Sequence, residues 1–336
     1  MIAPAPIAIL VAVALFFDFL NGFHDSSNIV ATMISSRALS PRQALALSAI
    51  AHFCGPFLFG VAVATTIGHE VVAEEALIMP VIFAALLAAI AWDLITWFFG
   101  IPSSSSHALI GGIVGAVSVD FGLGAIQMRG LAKVAIALFV SPILGLMVGY
   151  LLMQLILFLA RGASPKINRF FKRSQILTSL ALALSHGTND AQKTMGIIAM
   201  ALVASGYLSE FSVPKWVIVA CAGAISLGTA SGGWRIIKTL GAGFYKVRPV
   251  HSFAAQLGSA VVILGAALLG GPVSTTQVVS STIVGVGSAE RLSKVRWGVA
   301  RNILLAWILT IPATALLAAL LYRPISLLFG AWWGGS

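Results

Sequence analysis

Two polar stretches hold most of the groups able to do chemistry. One is Asn21-Gly22-Phe23-His24-Asp25-Ser26-Ser27-Asn28, and the other His186-Gly187-Thr188-Asn189-Asp190-Ala191-Gln192-Lys193. Each interrupts an apolar run: Ile7 to Leu20 and Ile29 to Ile34 flank the first, Ile176 to Leu184 and Met195 to Ala204 the second. No flank alone supplies the ~20 apolar residues of a bilayer crossing, whereas flank, octet and flank together do. Each octet is therefore expected near mid-membrane, in a helix that its glycine unwinds. Carboxylates, amides and imidazoles are costly at that depth and mark a functional site by default. Asp25 and Asp190, beside Asn21, Asn28, Asn189 and free backbone carbonyls, offer hard oxygen ligands for a small cation or a proton. His24, His107 and His186 are candidates for a proton relay or for hydrogen-bonding partners. Lys193 either lies near an anion or neutralises Asp190.

A second pair of motifs offers the opposite chemistry. Pro102-Ser103-Ser104-Ser105-Ser106-His107 leads into the short apolar piece Ala108 to Val119, and Pro272-Val273-Ser274-Thr275-Thr276-Gln277 into one ending at Val286. Proline suits the first turn of a helix and a hydroxyl suits its cap. The exposed N–H groups and the positive dipole end favour an anion. Ser104, Ser105 and Ser106 from one motif, and Ser274, Thr275 and Thr276 from the other, would add donors around one shared site. An anion beside two carboxylates is repelled unless cations accompany it, which makes cation-coupled symport the natural mechanism. Asp18 and Asp93 have no counterpart, since the matching positions are Ala183 and Ile263. They either carry protons or pair with each other or a nearby base, and structural pairing is the expectation. His52 reads as a packed helix residue.

The elements that must position these groups are transmembrane. The chain has 336 residues, 59% of them hydrophobic and 9% charged, which excludes a soluble domain. The net charge of +10 sits in short loops between apolar spans, the positive-inside pattern rather than a nucleic-acid surface. Cys54 and Cys221 lie in apolar runs and imply neither a disulfide framework nor a metal site. The first residues lack a positive n-region, so no cleaved signal peptide is expected, and the absence of a phosphate-binding loop excludes ATP hydrolysis. Further spans are expected over about 44–66, 80–99, 131–159, 216–231 and 253–269, with a last one ending at Leu321. Trp332 and Trp333 read as an interfacial anchor.

Asp190 follows Asp25 by 165 residues and Pro272 follows Pro102 by 170, so two unrelated motifs recur in order at nearly one offset. This divides the chain into repeat 1 (1–160), a basic cytoplasmic connecting loop (161–175) and repeat 2 (176–336). The acidic loop with Glu70, Glu74 and Glu75 matches a basic loop, 232–248, in the second half, whereas the basic Arg37–Arg42 loop matches a nearly neutral one. Matching loops of opposite charge character indicate inverted orientation. The expected fold is an all-α polytopic membrane protein of two inverted-topology repeats, with discontinuous helices and Pro-Ser/Thr re-entrant or half-helix segments. With the basic loops in the cytoplasm, both termini lie outside.

These motifs together resemble the inorganic phosphate transporter (PiT) family over nearly the whole chain. Asn21 to Asp25 and His186 to Asp190 are similar to its duplicated signature, often G-A-N-D; Pro102 to His107, Gly232 to Lys238 and Pro272 to Thr276 are similar to its other segments. His24 replaces the commoner Asn, and Gln277 stands where His usually follows. The resemblance implies a symporter of inorganic phosphate in the cell membrane, driven by H⁺ or Na⁺ and assembled as a homo-oligomer, a dimer. It implies no resident cofactor, although some members carry phosphate with a divalent metal and others move sulfate. Phosphate is preferred on physical grounds: hydrogen phosphate can donate a hydrogen bond to a carboxylate, and sulfate has no proton to give. A passive anion channel is the rival from another class. An intramembrane serine hydrolase is disfavoured because Ser106 and His107 are sequence neighbours and no nucleophile elbow occurs.

Overall fold

A computed structural model describes residues 4–69, 76, 78–164, 166–243 and 247–333. Among these the chain forms helices and connecting turns without strands. Six helices make the first half: α1 (Pro4–Ser35), α2 (Pro41–Leu58), α3 (Ala62–His69), α4 (Met79–Phe99), α5 (Ser105–Asp120) and α6 (Met128–Leu159). Six more repeat the order: α7 (Ile167–Ala204), α8 (Lys215–Ser231), α9 (Trp234–Gly243), α10 (Pro249–Leu268), α11 (Thr275–Glu290) and α12 (Trp297–Trp333). Among the described residues α1, α4, α6, α10 and α12 are long and apolar enough to cross a membrane, and α8 with the start of α9 makes a sixth, bent by 72°. The molecule is a polytopic membrane protein.

The equivalent helices α1 and α7 run antiparallel. His186 lies 3.7 Å from Asp25, and Gln175 bonds Ser36 at 2.6 Å. Eleven residues forward on α1 (36 − 25) thus match eleven backward on α7 (186 − 175). The repeats are therefore inverted, and the two helices cross at their octets. The halves also exchange partners: α5 packs along α12 and α11 along α6. Small residues permit this, with Gly111 and Gly115 set against Ile311 and Ala315, and Gly149 and Gly285 against Thr282 and Leu146. On their other faces α6 and α12 expose Phe139, Leu151, Leu309 and Leu316, as lipid-facing helices do.

The helix breaks fall at both Pro-Ser/Thr motifs, as expected, but not in the octets. Gly100, at φ 67°, ends α4 in the left-handed region and returns its N–H to Thr96 and Trp97; Gly270, at φ 69°, does the same after α10. Pro102 and Pro272 follow, and Ser104 and Ser274 cap α5 and α11. Gly112 packs against Ala85, so α4 and α5 fold back on each other as a hairpin whose tip is the motif. The tips meet the middles of α1 and α7, which identifies them as half-helix, re-entrant segments.

Both octets lie inside unbroken helices, which corrects the expectation of unwinding. Their glycines serve close approach instead. A Cβ on Gly22 would stand 2.1 Å from the Ile225 carbonyl oxygen of α8, and one on Gly187 2.7 Å from that of His52 in α2. The backbone carbonyls there stay in the helix ladder and are not free ligands. Other boundaries differ too. The expected loop 232–248 contains α9, and the expected span 44–66 breaks between α2 and α3. The connecting loop ends at Lys166, because 167–175 already form the first turns of α7, and the last span continues past Leu321 to Trp333. Glu70, Glu74 and Glu75 lie outside the described residues, as do the side chains of Trp332 and Trp333.

Candidate functional site

The two tips and the two octets converge on one buried centre. From α11, Thr276 Oγ1 donates to Asp25 Oδ1 at 2.8 Å, and Asn28 Nδ2 donates to Thr276 Oγ1 at 3.0 Å. Thr275 Oγ1 stands 2.9 Å from Asp190 Oδ2 and 3.2 Å from Asp25 Oδ2. A hydroxyl has one proton to give, so it bridges the two carboxylates without satisfying both. From α5, Ser105 Oγ donates to Asn21 Oδ1 at 2.8 Å and Ser106 Oγ to the Val273 carbonyl at 3.1 Å. The Thr276–Asp25, Thr275–Asp25 and Ser106–Val273 bonds join the two repeats, whereas Ser105–Asn21 and Thr275–Asp190 stay within one.

Lys193 is the hub. Its Nζ pairs with Asp190 Oδ1 and donates to Ser106 Oγ at 2.6 Å and to the Val273 carbonyl at 2.9 Å. All three ammonium protons are thereby engaged, and the side chain is 2% exposed. The ammonium neutralises Asp190, one of the two roles read from the sequence. His186 lies between the carboxylates, 3.0 Å from Asp190 and 3.7 Å from Asp25, and stacks on the His52 ring at 4.9 Å between centroids. His24 Nδ1 approaches Asp25 Oδ1 at 3.4 Å. One ligand atom each from Asp25, His186 and Asp190 lies within 4.8 Å of the others, a spacing that fits a small cation or a shared proton. Two carboxylates and two imidazoles face one ammonium in this centre.

Other expected residues take different places. Ser104 and Ser274 turn back on their own helices: each accepts its cap bond, from His107 N–H at 3.2 Å and Gln277 N–H at 3.3 Å. His107 stays on its tip, with Nδ1 2.7 Å from Ser104 Oγ and its ring edge toward Phe139. Asn189 donates to the Gly271 carbonyl at 3.2 Å, which ties α7 to the second tip rather than to a carboxylate. The expected structural pairing of Asp18 and Asp93 is not found: both are buried, and neither has a hydrogen-bond partner among the described residues. Sequence reasoning missed the carbonyls of Gly271 and Val273 as ligands. The Gly-Gly-Pro break that frees them from a helix ladder was the available signal.

A profile of the phosphate transporter family matches residues 21–318. A protein of Rhizobium meliloti (strain 1021), described as a probable low-affinity inorganic phosphate transporter, is 48% identical over 93% of this chain and 94% of its own length. One of Bacillus subtilis (strain 168), described in the same words, is 46% identical over 96% and 97%. Among solved structures, one titled the sodium-dependent phosphate transporter superposes with a TM-score of 0.86 at 25% identity, covering 96% of this chain and 99% of that one.

Proposed function

This chain belongs to the phosphate transporter family, and from that membership we propose that it is a secondary symporter importing inorganic phosphate with H⁺ or Na⁺. It is a transporter and not an enzyme. One observation carries the symport reading: a tip hydroxyl of one repeat, Thr276, bonds the octet carboxylate of the other, Asp25, at 2.8 Å. Such a bond joins the helix end suited to an anion to the oxygen suited to a cation, so occupancy of either is felt by the other. The charge balance points the same way. An anion that enters beside the two carboxylates Asp25 and Asp190 is repelled unless cations accompany it.

Ser105, Ser106, Thr275 and Thr276 with Lys193 are the anion's donors in this reading, and Asp25, Asp190 and His186 hold the coupling cation. Ser104 and Ser274 support the tips as caps. The protein sits in the cell membrane as a dimer, with Arg37, Arg42, Arg161 and Lys166 on the cytoplasmic side and both termini outside. Radiolabelled phosphate uptake into proteoliposomes, with H⁺, Na⁺ and Mg²⁺ varied independently, tests the assignment. Uphill accumulation under an imposed H⁺ or Na⁺ gradient is expected. Passive equilibration alone would make the protein a channel, and strong competition by excess sulfate would overturn the substrate. A requirement for Mg²⁺ would mean that phosphate travels as a metal complex.

A further inference from the structure

Asp18 lies on α1 at i − 3 from Asn21 and i − 7 from Asp25, on the helix face that carries the octet's polar groups. It is 0% exposed, and its oxygens make no ion pair and no hydrogen bond of ordinary geometry among the described residues. The hydroxyl that faces it is that of Thr194 of α7. The titratable groups around it are Asp190 and Lys193 of α7 and Cys221 of α8. Among the described residues the ammonium near it is that of Lys193, whose three protons go to Asp190, Ser106 and Val273. An ionised carboxylate in that position would be buried with one hydroxyl facing it and an ammonium already engaged elsewhere, a costly state for such a group. The site is also too sparse for a metal ion. One carboxylate and one hydroxyl fall well short of the several oxygens a hard cation takes, and the surrounding helix carbonyls are engaged. A proton needs one acceptor, and Thr194 supplies it.

We propose that Asp18 is a proton-carrying site of the transport cycle, protonated from the aqueous phase and donating to Thr194 when the centre is closed. The bond formed is O–H on the carboxylate; the proton leaves to water on the opposite side. Lys193 links this site to the anion. An anion bound at Ser106 takes a share of the Lys193 charge, leaving Asp190 and Asp18 undercompensated, and that raises the proton affinity of Asp18. By reciprocity the proton raises the affinity for the anion. This rests on the symport reading above and names where one of its coupling ions sits.

The test is Asp18→Asn in proteoliposomes, with radiolabelled phosphate flux and proton flux, read by an entrapped pH dye, measured together. Phosphate exchange at equal concentrations on both sides should persist. Accumulation driven by a pH gradient should fall roughly tenfold or more, the scale of an ordinary coupling free energy, and the proton-to-phosphate ratio should drop by one. Thr194→Val, which removes only the acceptor, should shift the pH midpoint of uptake and serves if Asp18→Asn does not fold. Unchanged ratio and midpoint in whichever variants fold would overturn the proposal and leave phosphate symport standing. A wild type that exchanges no phosphate would overturn the symport reading and this proposal with it.

Discussion

In the first repeat Asn28 reaches Thr276 at 3.0 Å; in the second, Lys193 stands at the matching octet position and reaches Ser106, the counterpart of Thr276, at 2.6 Å. The backbone plan is one plan used twice, down to the capping serines and the left-handed glycines. The chemistry is not. Asp25 is held by hydroxyls and flanked by imidazoles, whereas Asp190 has a full counter-charge bound to it. Symmetry supplies the pocket, and one amide-to-ammonium difference sets its halves apart: the first carboxylate meets hydroxyls and imidazoles, the second an ammonium, and in the proposed symport the first half-site would take the cation and the second the anion.

The largest effect should come from erasing that difference. Lys193→Asn is expected to abolish phosphate uptake, by loss of the ammonium at the anion's donors, and to lower expression, because removing one partner of a buried ion pair costs about 3–5 kcal/mol of stability. Lys193→Asn with Asp190→Asn should recover expression without recovering transport. Comparable uptake by the single variant and the wild type would show that the charge is not what separates the halves. Next come the carboxylates. Asp25→Asn should abolish transport while protein still reaches the membrane, and Asp190→Asn, which strands the Lys193 ammonium, should abolish it with reduced expression; normal uptake by both would retire the cation site.

The tip hydroxyls sharpen the contrast. Ser106→Ala loses a bond to a charged donor, worth about 1.5–3 kcal/mol, whereas Thr276→Val removes a hydroxyl's bond to Asp25 from the half-site without an ammonium. The first should weaken phosphate affinity and the second cation affinity, which initial-rate uptake against each ion separates. Equal shifts in both affinities from either variant would contradict the division of labour. The smallest effects concern packing. Gly22→Ala meets a carbonyl at 2.1 Å and Gly187→Ala one at 2.7 Å, while a Cβ on Gly223 meets nothing within 4 Å. Melting temperature in detergent should fall in that order, with Gly223→Ala unchanged.

Much of this was legible in the sequence because polar residues stand out in an apolar chain. Asp25, Asp190, Pro102 and Pro272 could be found by type and spacing, and their shared offset exposed the duplication. The state of the octet helices was not legible. A glycine in a membrane helix permits either unwinding or close approach, and only the presence of the Ile225 and His52 carbonyls against Gly22 and Gly187 decides between them. The partners of Lys193 and the isolation of Asp18 were hidden for a related reason: both depend on which side chains arrive from distant helices. The expected pairing of Asp18 was reasonable for a lone carboxylate in lipid, and it failed because the Lys193 ammonium is engaged by Asp190, Ser106 and Val273.

The crossing of α1 and α7 constrains how cargo gets through. Helices of 32 and 38 residues without a break cannot fold aside at their centre. They form a fixed spindle. Any path through the centre therefore has to part a hairpin tip from that spindle.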